Sequence, residues 1–456
     1  MKKELQEFLT GRIWLRDHTP FPQDLINDHI ENNLLTTIDG IYQKKTKFIH
    51  TYTCMRCRNT DRRFFAMFDC AKCEGPCVYC RHCIRMGRVS SCTKLIKWNG
   101  PSPEIKQDHS FAWDGQLTSA QQKAANELSE NIQLERPHLI HAVCGAGKTE
   151  ILFKPIHELL QEGKRVCVAA PRTDVVLELT PRFRQVFPET IIHSLYGGAE
   201  FQEGFAQLVI ATTHQLYRFE GAFDAVFVDE ADAFPYSADE TLRRAVEKAK
   251  KPDTPVYVVT ATPSNELIRN VKQSGGRISV ITKRFHGHPL PVPRFDSLWN
   301  YGKQIHKGRI PSKLRDWTAE RLANEEPFLI FFPTIELMEK AEPLFQQIHR
   351  GIHAVHADVP DRKEKVLSLR NKEVPGLLTT TILERGITIP RVQVAVVGAD
   401  EGIFTESALI QIGGRVGRSK DDPTGDLVFF HHGITYAMDD AKREIERLNR
   451  AKEVHI

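Results

Sequence analysis

The chain has 456 residues, 41% hydrophobic and 26% charged, with a formal net charge of +4. This is the composition of a soluble globular protein, too long for one core and sized for about three domains of ~100–200 residues. The mild charge excludes a polyanion binder that works through its whole-molecule field, so any such site must come from local clustering.

The opening MKKELQEFLTGRIWLRD is interrupted by charges and lacks the apolar core of a signal peptide, and no run approaches the ~18 apolar residues of a membrane span. The expected location is the cytoplasm, including a peripheral place at the inner face of the cell membrane. Residues 1–50 read as an N-terminal arm or cap, and residues 51–100 as a cysteine-rich domain. KWNGPSPEIKQDHSFAWDGQ then reads as a linker. From Leu117 the runs HLIHAV, RVCVAAP, QLVIATT, AVFVDE and VYVVTATP alternate with helical patterns, the signature of β-α units on a parallel sheet. This gives a first α/β lobe within 101–285. The three prolines of RFHGHPLPVPRF mark the next boundary, and a second lobe, 286–456, carries FLIFFPT, IHAVHA, GLLTTT, VQVAVVG and DLVFFHH before a C-terminal helix in DDAKREIERLNRAKE.

Chemistry gathers at the strand ends. AVCGAGKTE follows an apolar strand and precedes a helix, as a phosphate loop does: small residues let backbone N–H groups approach phosphates, Lys148 neutralises them, and the Thr149 hydroxyl suits Mg²⁺. Its first position is Ala142, where the strict pattern has glycine. In VFVDEADAF, Asp229 suits Mg²⁺ binding and Glu230 suits orienting and deprotonating an attacking water; the alternative is an acidic helix N-terminus.

With LTSAQQ, TATP, TTTILERGITIP and QIGGRVGR in order, these blocks resemble the motifs of superfamily-two nucleic-acid helicases and translocases. That resemblance implies two RecA-like lobes clamping ATP. It gives adenine recognition to Gln121 and the phosphate loop to Gly145, Ala146, Gly147, Lys148 and Thr149. Mg²⁺ and water activation fall to Asp229 and Glu230, and coupling to the nucleic-acid track to Thr260 and Thr262. Gln411, Arg415 and Arg418 would face the nucleotide, with Arg418 as arginine finger. Arg172, Thr212, Thr334 and Thr379 would line the backbone track, although each reads equally well as a local turn or cap.

Eight of the ten cysteines lie between Cys54 and Cys92, in the steps Cys54/Cys57, Cys70/Cys73, Cys77/Cys80 and Cys80/Cys83, with Cys92 following. In a reducing compartment this spacing reads as at least one tetrahedral Zn²⁺ site. Spacing does not fix which four share an ion. Between Cys54 and Lys97, ten basic side chains stand against three acidic ones, an excess that two tetrathiolate zinc sites, each about −2, would largely offset. Phe64, Phe65, Phe68, Tyr79 and Trp98 would stack bases or pack the zinc fold.

A cysteine module ahead of a two-lobed motor is similar to the ComFA late-competence family of naturally transformable Gram-positive bacteria. That resemblance makes Cys54, Cys57, Cys80 and Cys83 the primary zinc quartet and leaves Cys70, Cys73, Cys77 and Cys92 for a second ion. It implies ATP, Mg²⁺ and Zn²⁺ as cofactors, and an ATP-dependent single-stranded-DNA translocase that takes up transforming DNA with the ComEC channel and the ComFC and DprA proteins. Loss of zinc is expected to unfold the N-terminal region while motor lobes with their own cores keep basal ATPase. KRFHGHPLPVP and TATP also resemble PriA, the restart helicase, whose cysteine region instead lies between its lobes. Asp229-Glu230-Ala231-Asp232 raises a DEAD-box RNA helicase, and a non-enzymatic alternative is an ATP-switched scaffold.

Overall fold

The computed structural model describes residues 2–45, 50–356, 359, 361–383 and 389–451. Residues 384–388, within the expected TTTILERGITIP motif, lie outside them. Two compact units emerge, one of Met1–Leu117, Gln122–Leu139 and Thr149–Ile278, the other of Thr118–Gln121, Ile140–Lys148 and Ser279–Ile456.

The first unit begins with β1 (Ile13–Leu15), β2 (Leu35–Asp39), β3 (Ile41–Lys45), β4 (His50–Cys54), β5 (Phe65–Cys70), β6 (Gly75–Cys80) and β7 (Lys94–Trp98). β7 lies between β1 and β2, antiparallel to both, with Ile96 opposite Trp14 on one side and Thr37 on the other. Leu5, Leu9, Ile26, Leu35 and Ile96 form a small core beneath this sheet. The expected boundary at residue 50 therefore falls inside one fold: the arm and the last strand of the cysteine region are interleaved. The antiparallel hairpins β3–β4 and β5–β6 carry the thiols between them.

The lobe strands are β8 (His138–Ala142), β9 (Val166–Ala170), β10 (Ile192–Leu195), β11 (Leu208–Thr212), β12 (Ala225–Asp229), β13 (Val256–Thr260) and β14 (Arg277–Ile281), in the order β10-β11-β9-β12-β13-β8-β14. The run from β10 to β13 is parallel. β8, β9, β11 and β12 are buried at every position, which is why they read as unbroken apolar runs. The sequence reading missed β10 and β14, the two edge strands, whose polar residues blunt the apolar signal.

The proline-rich segment before the lobe has no regular structure, yet it is strapped down rather than free: Ala112 N–H donates to the Val186 carbonyl at 2.8 Å, Phe111 stacks on His157 at 4.8 Å, and the buried His109 ring bonds Thr190 at 2.8 Å. The cysteine module, with too few apolar residues for a core of its own, shares one with the lobe. Cys54, Cys57, Cys80 and Cys83 belong to the same apolar cluster as Leu216, Phe219, Phe223 and Val226. The module is too small to bury enough surface alone, so it completes its core on the lobe.

The second unit contains β15 (Arg294–Ser297), β16 (Phe328–Phe331), β17 (Ile352–Val355), β18 (Gly376–Thr379), β19 (Gln393–Val397) and β20 (Leu427–His431). Their order is β15-β20-β19-β16-β18-β17, and every pairing is parallel. The core runs through Phe328, Ile330, Leu378, Ala395, Val397 and Phe430. Only β15, a polar edge strand, lacked a sequence signal. The C-terminal helix spans Tyr436–Arg450, capped by Thr435.

Candidate functional site

The phosphate loop leaves β8 and enters the helix Lys148–Gln161. Gly145 and Gly147 take φ of +81° and +69°, conformations that glycine adopts without a Cβ penalty and that let successive N–H groups face a concavity. Gln121 is buried and braces this loop: its side-chain amide donates to the Ala146 carbonyl at 2.8 Å, while its oxygen accepts from the Thr118 N–H at 2.8 Å. The buried Arg284, which the sequence reading passed over, lies in the same unit, its side chain beside the position a Cβ on Gly145 would occupy. Its Nε and Nη2 are buried without hydrogen-bond acceptors. Burial lowers its pKa to about 10. A positive-φ glycine cradle beside unsatisfied guanidinium donors suits a polyphosphate.

In the first unit, Thr149 opens the helix after the loop and is buried. Arg182, on the helix Thr173–Val186, donates to the Thr149 hydroxyl at 3.3 Å and pairs with Glu150. Nothing in the sequence marked Arg182; only folding brings that helix beside the loop's exit. Asp229 ends β12, buried, and its Oδ1 accepts from the Glu230 N–H at 2.9 Å, while Glu230 holds a left-handed φ of +52°. Asp232 accepts from the hydroxyls of both Thr260 and Thr262, the latter at 2.6 Å. The acidic turn after β12 is thus tied to the TATP segment after β13, and β12 and β13 are neighbours.

In the second unit Gln411 lies on the helix Glu406–Gly413, and both it and Arg415 are buried. The Cys144 thiol donates to Gln411 Oε1 at 3.0 Å, and Arg418 donates to the Gly414 carbonyl at 3.2 Å. Of the expected track residues, Thr334 caps the helix Ile335–Ile348, and Thr379 is fully buried, donating to the Val355 carbonyl at 3.0 Å. Arg172 and Thr212 stand at the starts of the helix Thr173–Val186 and of the 3₁₀ helix Thr213–Arg218.

The thiols sort into two quartets: Cys54, Cys57, Cys80 and Cys83, all buried, and Cys70, Cys73, Cys77 and Cys92, with Cys73 exposed. Within each, the sulfurs lie within 4.8 Å of one another. Cys54–Cys83, Cys57–Cys80 and Cys70–Cys92 are 3.7, 3.6 and 3.7 Å apart. Tetrahedral bonds of about 2.3 Å to one zinc set sulfurs about 3.8 Å apart, so both donor sets fit that ion. In the first quartet, hydrogen bonds from Cys54, Cys57 and Cys80 drive the Cys83 pKa down, while Cys54, Cys80 and Cys83 push Cys57 up. Four buried sulfurs this close cannot all be thiolates without a cation. The aromatics of the module mostly pack on one another: Phe68 on Tyr79 at 5.6 Å, Phe65 on Tyr52 at 5.6 Å and Phe64 on His82 at 4.5 Å.

Residues 1–97 match the family "Competence protein ComFA N-terminal domain", 114–265 match "Type III restriction enzyme, res subunit" and 310–420 match "Helicase conserved C-terminal domain". The chain is 43% identical to the competence protein ComFA of Bacillus subtilis, over 98% of this chain and 95% of that protein. It is 40% identical to the Streptococcus pneumoniae ComFA, over 82% and 86%. Among solved structures, Saccharomyces cerevisiae Dbp5 bound to RNA and ADP BeF3 aligns with a TM-score of 0.54 over 74% of this chain and 93% of that one, at 15% identity, a likeness of fold.

Proposed function

The chain belongs to the ComFA competence-protein family, and from that premise we propose that it is an ATP-driven single-stranded-DNA translocase that draws transforming DNA into the cytoplasm. At the coarser level it is a competence-associated helicase or translocase and a nucleic-acid-dependent ATPase. The finer reading is carried by one observation: a ComFA-type chain holds a positive-φ glycine loop opening on Lys148 and a β12 end carrying Asp229 and Glu230.

In this reading the N–H groups of Gly145, Ala146 and Gly147 hold the β- and γ-phosphates, and Lys148 neutralises their charge. Thr149 and Asp229 would hold Mg²⁺, which would lower the charge repulsion on the phosphate oxygens. Glu230 orients the attacking water and takes its proton. Gln121 secures the loop, and adenine recognition by its amide requires exchanging the bond to Ala146. Gln411, Arg415 and Arg418 approach the nucleotide, with Arg418 stabilising charge that develops on the γ-phosphate. Asp232, bonded to both threonines of TATP, relays the state of the acidic turn to the strand-end segments that hold DNA. Cys54, Cys57, Cys80 and Cys83 would hold one structural Zn²⁺, and Cys70, Cys73, Cys77 and Cys92 a second.

Among the described residues no helix is long and apolar enough to cross a membrane. The family resemblance supplies the ComEC channel for passage, the ComFC and DprA proteins as further partners, and a place at the inner face of the membrane. Between Pro390 and Gln411 about twenty residues separate two motifs, and β19 takes five of them, leaving little room there for a duplex-splitting wedge.

The test sets strand displacement beside streptavidin displacement from biotinylated single strands. ATPase stimulated strongly by single-stranded DNA and weakly by blunt duplex, with streptavidin displaced and long duplexes left intact, is expected. Processive unwinding would favour a restart helicase, and stimulation by RNA alone would discard both.

A further inference from the structure

The first unit contains a cleft of about 300 Å³ where the cysteine module meets the lobe, lined by Trp14, His18, Arg56, Arg85, Gly87 and Arg218 among others. We propose that this cleft is a nucleic-acid subsite that takes a phosphate of a single strand, with the Trp14–Arg218 pair as a platform for the adjoining base. The inference rests on the DNA-translocase reading above and adds to it a contact made by the cysteine module.

The charge in the cleft is uncompensated. Three arginines and a histidine line it, no lining residue is acidic, and among the described residues no carboxylate pairs with Arg56, Arg85 or Arg218. Arg218 is driven to a lowered pKa of about 10 by burial and by the neighbouring Arg56 charge. Arginines gathered without counter-charge, at a desolvation cost, fit an anion that arrives from outside.

The donors are also held in place. Arg56 is 1% exposed, and its two terminal nitrogens donate to the carbonyls of Cys83, Met86 and Gly87 at 2.6–2.8 Å. These bonds fix the turn that displays the exposed Arg85, directly after the ligand Cys83. Arg56 lines the cleft, and its Nε is buried with no hydrogen-bond partner. Gly87 must be glycine: its φ is +92°, and a Cβ would come within 2.5 Å of Leu15. Arg218 lies over the Trp14 ring at 4.4 Å, so its guanidinium plane is pre-set both to bond a phosphate and to stack on a base. The volume is at the small end of ligand clefts, which suits one nucleotide rather than a folded partner.

The position connects with the motor. Arg218 ends the 3₁₀ helix Thr213–Arg218, which starts at the end of β11 beside Thr212. Six residues at about 2 Å each place the cleft roughly 10 Å along from that strand end. A strand touching Thr212 would continue into the cleft, and the metal-held turn would grip it.

The experiment measures binding of a labelled oligothymidine of about twenty nucleotides across a salt series. It compares wild type, Arg85→Glu, Arg218→Gln and, as control, Arg443→Glu on the exposed face of the C-terminal helix. Arg85→Glu is expected to weaken binding roughly tenfold at low salt and to reduce the slope of log K against log salt by about one, and Arg443→Glu to change neither. Arg85 is exposed, so its variant should fold; zinc content and Tm check this, and they also check Arg218→Gln. In parallel, iodo-deoxyuridine oligonucleotides should crosslink to the peptide containing Trp14. Unchanged affinity and slope for Arg85→Glu, with crosslinks found only elsewhere, overturn the cleft as a subsite. Failure of the wild type to bind any single strand would instead remove the translocase reading itself.

Discussion

Glu230 stands one residue beyond the carboxylate that ends β12, with a left-handed backbone that costs a non-glycine residue about 1 kcal/mol or more. A side chain held at that cost at the end of a buried strand is a candidate for chemistry rather than packing. Glu230→Gln keeps the shape and removes the base, so it should reduce ATP turnover at least a hundredfold while still binding nucleotide. Lys148→Ala should abolish turnover by removing the charge on the phosphates, with Tm within a degree or two of wild type in both cases. Phosphate release by the purified variants, beside thermal melts, checks this; hydrolysis at the wild-type rate removes the proposed site. At this scale the sequence nominates Lys148, Asp229 and Glu230 because each stands in a short motif at or after the end of an apolar strand. It does not nominate Arg182 and Arg284, because neither has a local pattern and each matters only for what folding places beside it.

The two thiol quartets belong to the scale of elements. The first takes Cys54 and Cys57 from the end of β4 and Cys80 and Cys83 from the end of β6, so one ion held there would tie two hairpins together inside the apolar cluster shared with the lobe. The link is reinforced by polar contacts: Arg58 and Lys97 both pair with Glu220, and the Lys248 ammonium donates to the Arg56 and Tyr217 carbonyls at 2.5 and 2.8 Å. Zinc loss here should therefore spread into the lobe rather than stop at the module. Cys54→Ser is expected to remove one zinc per chain, lower Tm by ~10 °C or more and expose the Leu216–Phe223 region to protease. Cys73→Ser, at an exposed ligand of the outer quartet, should also remove one zinc but shift Tm by only a few degrees. Elemental analysis and limited proteolysis separate these outcomes, and equal melting of the two variants would contradict the shared core. The cysteine spacing predicted metal, but it left the pairing open because Cys77, Cys80 and Cys83 form overlapping steps that only the hairpin geometry divides.

For the molecule as a whole, acid should act first on the seven-stranded sheet. Burial lowers both His138 on β8 and His193 on β10 from 6.5 to about 4. A base with a depressed folded-state pKa is neutral in the native state, so its stability is fully present above pH 6.5 and is lost as pH falls toward 4. Each is expected to take on the order of 3 kcal/mol with it across that window. Melting curves between pH 7.5 and 5 should show the loss, and His193→Gln, which retains a donor for the Glu203 carbonyl, should make it shallower. An identical slope in wild type and variant would assign the loss to other groups. The sequence by itself determined the two parallel-sheet lobes, their order and the phosphate and carboxylate motifs, because buried central strands are continuous apolar runs and the motifs are contiguous in the chain. Only the tertiary structure decided that residues 1–50 and the cysteine region interleave, that their core is continuous with the lobe, and that Trp14, Arg85 and Arg218 meet in one cleft. The physical reason is range. Periodicity and spacing report contacts between residues near in sequence, whereas β7 returning between β1 and β2 joins segments about sixty to eighty residues apart, a pairing fixed by the burial of apolar surface that no short pattern records.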